Sequence, residues 1–317
     1  MPQLSIALLF EDNREKLKLE WIAGRGGSTK DIDSRLTEDS SKGLIGHLNF
    51  IHPNLIQVLG ASEVDYLSTL DAQGCRTALE KVATRDLACF IIAGARSVPP
   101  SLLTISDETQ TPLFVSPIPS VELMWILRPY LARALAETTT VHGVFLDVLG
   151  VGVLLTGASG VGKSELGLEL ISRGSGLVAD DVVELCRVGP ETIEGRCPPM
   201  LRDFLEVRGL GVLNVRTIFG EAALRPRKNL RLIVHLERPV RSGPDLAPPL
   251  ERLPLRPGTE DVMGVTIGKV TIPVAAGRNL AVLTEAAVRN HVLQLRGIDS
   301  TQEFIARQTQ QMNKEQF

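Results

Sequence analysis

Short apolar runs alternate along this chain with stretches in which apolar positions recur every three or four residues, a pattern that predicts interleaved strands and helices. In the first half, LACFIIAG (87–94) and PLFVS (112–116) read as buried strands, because each is short, β-branched or aromatic, and bounded by Gly, Pro or Ser. Ser120 is placed to cap a helix whose apolar face carries Leu123, Ile126, Leu127, Leu131 and Leu135. Thr138 to Thr140 reads as a linker. Beyond it, HGVFLDVLG (142–150) and VGVLLTG (151–157) predict two strands close enough to be neighbours in a sheet. A helix over 163–173, closed by Gly174, comes next, and then GLVADD (176–181) reads as a strand ending in two acids. RLIVHLE (231–237) and KVTIPVAAG (269–277) read as strands, and 284–296 as a helix. Val240 to Gly258 is too rich in proline for regular structure and is expected to be a long loop, while the Gln-rich end reads as a fraying helix.

At 317 residues the chain is too long for one ordinary core, and the pattern divides it into an α/β domain over 1–135 and a second over 136–317. With 44% hydrophobic and 22% charged residues the composition is globular, and 4% aromatic residues leave no obvious base-stacking surface. A formal charge of -3 supplies no long-range attraction to nucleic acid or an anionic membrane. Cys75, Cys89, Cys186 and Cys197 form no CxxC pair, which argues against a zinc site or a disulfide framework. The opening MPQLSIALLFEDNREK lacks a basic leader, and no apolar run reaches the ~20 residues of a bilayer span, so a cytoplasmic protein is expected.

The chemistry concentrates in GASGVGKS, a full match to GxxxxGK[ST] formed by Gly157, Ala158, Ser159, Gly160, Val161, Gly162, Lys163 and Ser164. An apolar strand precedes it and an amphipathic helix follows, as a phosphate-binding loop requires. Glycines let backbone N–H groups turn toward phosphate oxygens, and the helix start adds a favourable dipole. Lys163 is then expected to reach the β and γ phosphates of ATP, and Ser164 to ligate Mg²⁺. Asp180 and Asp181 follow within twenty residues of the loop, and the strand that they end is expected to lie beside the P-loop strand. One carboxylate suits a magnesium partner and the other a base for an attacking hydroxyl, with the residues alone leaving open which is which. No chemistry is visible in the first domain.

HGVFLDVLGVGVLLTGASGVGKSELGLELISRG, then LVADD, LEVRGLGVLNV and TIPVAAGRNLAVL, resembles in content and order the catalytic core of HPr kinase/phosphorylases, and EDNREKLKLEW extends the likeness loosely into the first domain. The resemblance implies a P-loop kinase domain related to the nucleotide-binding core of PEP carboxykinase. It implies His142, Lys163, Asp181 and Arg252 as active-site residues, with Asp181 the base in phosphorylation and the acid in reversal, and Ser164 and Glu206 as magnesium ligands. It further implies residues 205–214 acting in both reactions, Pro273–Arg278 acting in dephosphorylation, HPr as partner, inorganic phosphate and pyrophosphate as co-substrate and product, and a homohexamer. Plainer readings exist for several of these residues. His142 suits a structural role at a strand start, Glu206 and Arg208 an ion pair, His235 a core position, and Arg225, Arg227, Lys228 and Arg231 a solvated face. A small-molecule kinase related to PEP carboxykinase is the competing enzyme reading. A nucleotide-operated switch is disfavoured because NKxD is missing, although DVLG (147–150) and DVMG (261–264) are present.

Overall fold

The computed structural model describes residues 3–33, 43–51, 53–83, 86–94, 97–238 and 258–315, and the chain divides into two compact units, Met1–Glu137 and Thr138–Phe317. The first unit contains β1 (Gln3–Ser5), α1 (Ile6–Leu17), β2 (Glu20–Ala23), β3 (Asp31–Asp33), β4 (Ile45–His47) and β5 (Ile56–Leu59). After these come α2 (Ala61–Thr69), α3 (Ala72–Val82), β6 (Cys89–Ala93), α4 (Pro100–Glu108), β7 (Leu113–Ser116) and α5 (Ser120–Ala134). Its main sheet runs β2-β7-β6-β5-β4, parallel from β4 to β7 with β2 antiparallel at the edge. Every residue of β5 and β6 is buried, as expected of a parallel sheet covered on both faces. Phe10, Trp21 and Phe114 form an aromatic cluster with centroids 5.0–5.4 Å apart. Helix α5 starts one residue earlier than Ser120 capping would give. The cap position belongs to Pro119, extended at ψ 146°, and Ser120 is already helical.

The second unit contains β8 (Glu137–His142), β9 (Val144–Val148), β10 (Val151–Gly157), α6 (Lys163–Ser172), β11 (Gly176–Ala179), β12 (Val182–Gly189), β13 (Thr192–Arg196), β14 (Phe204–Val207), β15 (Gly211–Asn214), α7 (Val215–Phe219), β16 (Arg227–Glu237), β17 (Gly258–Val262), β18 (Val265–Pro273), α8 (Leu280–Leu295) and α9 (Ser300–Glu315). Among the described residues nine strands form one mixed sheet in the order β11-β9-β10-β16-β13-β12-β8, with β18 also on β16 and β17 on β18. The eleven-residue β16 is its spine, pairing with β13 through Arg227–Asn229 and, in parallel, with β10 and β18 further along. Thr138–Thr140 is no linker. These β-branched residues lie within β8, where extended backbone suits them.

DVLG and DVMG turn out to be the same device. Val148 pairs with Val151 and Val262 with Val265, so each motif ends in a two-residue hairpin loop whose members, Leu149–Gly150 and Met263–Gly264, all have positive φ. That is the turn whose twist matches right-handed strands. Where β10 meets β16 the backbones approach closely, and a Cβ on Gly152 would stand 2.1 Å from the Asn229 carbonyl oxygen. Gly152→Ala is therefore expected to cost about 1–3 kcal/mol in denaturant unfolding through forced strand displacement, and unchanged stability would show that the sheet yields there freely. Among the described residues no helix is long and apolar enough to cross a membrane, and Cys75, Cys89, Cys186 and Cys197 are buried free thiols.

Candidate active site

The loop between β10 and α6 is shaped by glycines at positions where other residues would not fit. Gly157 has φ 140° and comes so close to β16 that a Cβ would lie 2.4 Å from the Leu236 carbonyl oxygen. Gly162, at φ 110°, starts α6 from the left-handed region. Leu166 N–H donates to the Gly162 carbonyl, so the N–H groups of the preceding first turn have no intrahelical acceptor. The Lys163 ammonium folds over the loop, donating to the carbonyls of Gly157 at 3.1 Å and Ala158 at 3.2 Å. Strand β10 is anchored from below by Thr156, whose hydroxyl lies 2.9 Å from Nδ1 of His235 on β16.

The two aspartates part company. Asp180 is 6% exposed and accepts hydrogen bonds from the Ser164 hydroxyl at 3.1 Å and from the Glu206 backbone N–H at 2.8 Å. Burial raises its carboxyl above the ordinary carboxylate range. Hydrogen bonds from the Glu206 amide, the Ser164 hydroxyl and the Asp181 amide oppose that rise, while the neighbouring Asp181 charge adds to it. Asp181 sits in the left-handed region at φ 62° with a side chain 72% exposed. Its carbonyl oxygen accepts the Gly143 N–H at 3.1 Å and lies 3.2 Å from His142 Nδ1, and that same nitrogen is 3.7 Å from its Oδ1. One carboxylate is thus built into the loop, and the other projects beside an exposed histidine.

This arrangement does not arise from the expected strand neighbourhood. β11 pairs with β9, while β10 lies between β9 and β16, so a whole strand separates the two. Asp180 reaches Ser164 because the chain turns sharply after Ala179, with the Val182 N–H returning to the Asp180 carbonyl at 2.7 Å. The third wall is the β14–β15 hairpin. Leu205 and Val207 bury into the core beneath α6, which leaves Glu206 and Arg208 exposed on the loop side. The described residues show no Glu206–Arg208 ion pair. The Arg208 guanidinium instead stands against the loop, 3.0 Å from where a Cβ of Gly160 would be, and Arg238, just past β16, donates from Nη2 to the Gly160 carbonyl.

His142, Lys163, Ser164, Asp181 and the Glu206 backbone therefore gather at one end of the sheet, and Arg252 lies outside the described residues. The Pro273–Arg278 segment leaves β18 beside the end of β16, with the Val274 N–H on the Glu237 carbonyl at 2.8 Å. Arg278 lines a groove of ≈ 440 Å³ together with Gly162 and Glu165 at the start of α6. The basic cluster is less solvated than its sequence implies. Arg225 at 3.2 Å and Lys228 at 3.1 Å converge on the buried Asp147, and Arg227 faces Glu194. Among the described residues no three His, Cys, Asp or Glu side chains could hold a metal by themselves. The Ser164 hydroxyl and Asp180 carboxylate are hard oxygen donors of the kind Mg²⁺ takes when phosphates complete its shell.

Two family models match, the HPr Serine kinase N terminus over residues 4–131 and the HPr Serine kinase C-terminal domain over residues 133–308. The chain is 57% identical over 312 residues to the HPr kinase/phosphorylase of Nitrosomonas europaea and 54% identical over 312 residues to that of Chromobacterium violaceum, covering 98% of this chain and 96% of each relative. It also aligns with the solved Hpr(Ser) kinase/phosphatase from Coxiella burnetii at 37% identity and a TM-score of 0.45, over 52% of this chain and 98% of that one. Matched in both halves and to relatives over nearly their whole length, the chain belongs to the HPr serine kinase family.

Proposed function

We propose that this chain transfers the γ-phosphoryl group of ATP to a serine of the phosphocarrier protein HPr, and that the same site returns that group to inorganic phosphate. The observation that carries the reading is the division of labour between the aspartates, one buried against the P-loop serine and one exposed beside His142. In the forward direction the seryl oxygen bonds to the γ-phosphorus, the bond from that phosphorus to the β,γ-bridging oxygen breaks, and Asp181 takes the seryl proton. In reverse an oxygen of inorganic phosphate bonds to the phosphoserine phosphorus, pyrophosphate forms, and the departing seryl oxygen recovers its proton from Asp181. His142, within 3.7 Å of that carboxylate, orients it.

Lys163 and the first-turn N–H groups of α6 would bind the phosphates, and Ser164, Asp180 and Glu206 would hold Mg²⁺. Bound there, the ion neutralises charge on the β and γ oxygens. Burial of Asp180 suits this role, since a buried carboxylate gains most from a cation. Kinship with the PEP carboxykinase core and a homohexameric assembly are what the sequence resemblance implies. Purified chain incubated with γ-labelled ATP, Mg²⁺ and HPr is expected to place the label on a serine, and subsequent phosphate to release it as labelled pyrophosphate. Label passing to a small metabolite and never to HPr would overturn the reading.

A further inference from the structure

We infer that Arg238 is a further phosphate-contacting residue of the nucleotide site, reading the γ-phosphate from the crown of the P-loop. The inference rests on the nucleotide lying in that loop as proposed above. Four observations lead to it. Register places Leu236 of β16 opposite Gly157 of the parallel strand β10, so Arg238 emerges two residues further on, at the strand ends where open α/β sheets bind ligands. Its guanidinium bends back to donate from Nη2 to the Gly160 carbonyl, which fixes it over the middle of the loop. Arg208 arrives at the same glycine from the β14–β15 hairpin, its Nη1 and Nη2 3.0 Å and 3.2 Å from the site of a Gly160 Cβ. Among the described residues neither arginine has a carboxylate partner, unlike Arg173, Arg196 and Arg216, which are all paired.

Two like charges held against one glycine repel each other, and a doubly charged phosphate between them would turn that repulsion into attraction. A guanidinium has five N–H donors, and the Gly160 carbonyl occupies one of Arg238's. Held at Gly160, in the middle of the loop and two residues before Gly162 at the α6 start expected to take the inner phosphates, the remaining donors are assigned to the outermost phosphate. Arg238 is thus expected to separate ATP from ADP. A residue that only braces the loop would serve both nucleotides equally.

The test is competitive titration of ATP and ADP, with Mg²⁺, against a fluorescent nucleotide on the full chain and on Arg238→Ala. The expected result is an ATP Kd raised about tenfold with the ADP Kd within about twofold, the loss of one charge-assisted contact to the γ-phosphate. An equal rise for both nucleotides, or no rise for either, overturns the inference. Arg238→Lys, which keeps the charge and loses the fork, is expected to fall between and serves if the alanine variant fails to fold. Wild-type chain that binds neither nucleotide would instead bring down the underlying reading, a result distinct from any change confined to the variants.

Discussion

Asp181→Asn is expected to slow phosphoryl transfer to HPr by ~10²–10⁴-fold while leaving ATP affinity within about threefold, the range lost when a positioned base is removed. The substitution isolates proton transfer because the position tolerates it. Asp181 has φ 62°, a conformation that asparagine accepts readily and alanine does not. Its carbonyl, which receives the Gly143 N–H and faces His142, is backbone and survives the change. The side chain is 72% exposed and anchors no core, so stability should hold. Single-turnover transfer measured beside nucleotide titration checks this. A variant that transfers at the wild-type rate places the base elsewhere.

Asp180→Asn should likewise lower activity, and should keep stability or raise it. Transfer is expected to drop by ~10²-fold or more, since the carboxylate assigned to the metal is gone, yet the melting temperature near neutral pH should be unchanged or higher. Burial raises the Asp180 carboxyl in the folded chain above its unfolded value, so the folded state favours the proton. The resulting penalty is absent below the unfolded carboxyl's range, grows as pH rises through the folded one, and is fully present above it. Asparagine never meets that penalty. Its amide oxygen would still accept the Glu206 N–H while its NH₂ donates to the Ser164 hydroxyl. Melting curves at several pH values should show the advantage of Asp180→Asn widening upward from the acid range, and a variant less stable than wild type throughout would contradict this account.

Much of this architecture was legible in the residues. The P-loop, the helix after it and the hairpin before it follow from local rules, glycine where φ is positive and apolar runs where strands are buried. What the sequence could not reveal was set by distant partners. The LVADD run does not say which aspartate turns inward, because that choice is made by Ser164 and the Glu206 amide, 16 and 26 residues away. The expectation that β11 adjoins β10 failed because the β9–β10 hairpin had already taken that edge. Arg238 carried one usable signal, its place immediately after a parallel strand, but its contact with Gly160 lies 78 residues back along the chain. Thr138–Thr140 shows a plainer ambiguity, since threonine is polar enough for a linker yet β-branched enough for the strand it occupies.

The openness of His142 and Asp181, 81% and 72% exposed, carries a consequence for selectivity. If Asp181 is the base, as proposed, it stands in water and cannot by itself favour a seryl hydroxyl over the solvent that surrounds it. Dehydration would then have to be supplied by whatever brings the serine, and full competence would be expected only beneath the footprint of a folded partner. A short serine peptide, even one that presents the right hydroxyl, would leave this corner wet and be a poor acceptor.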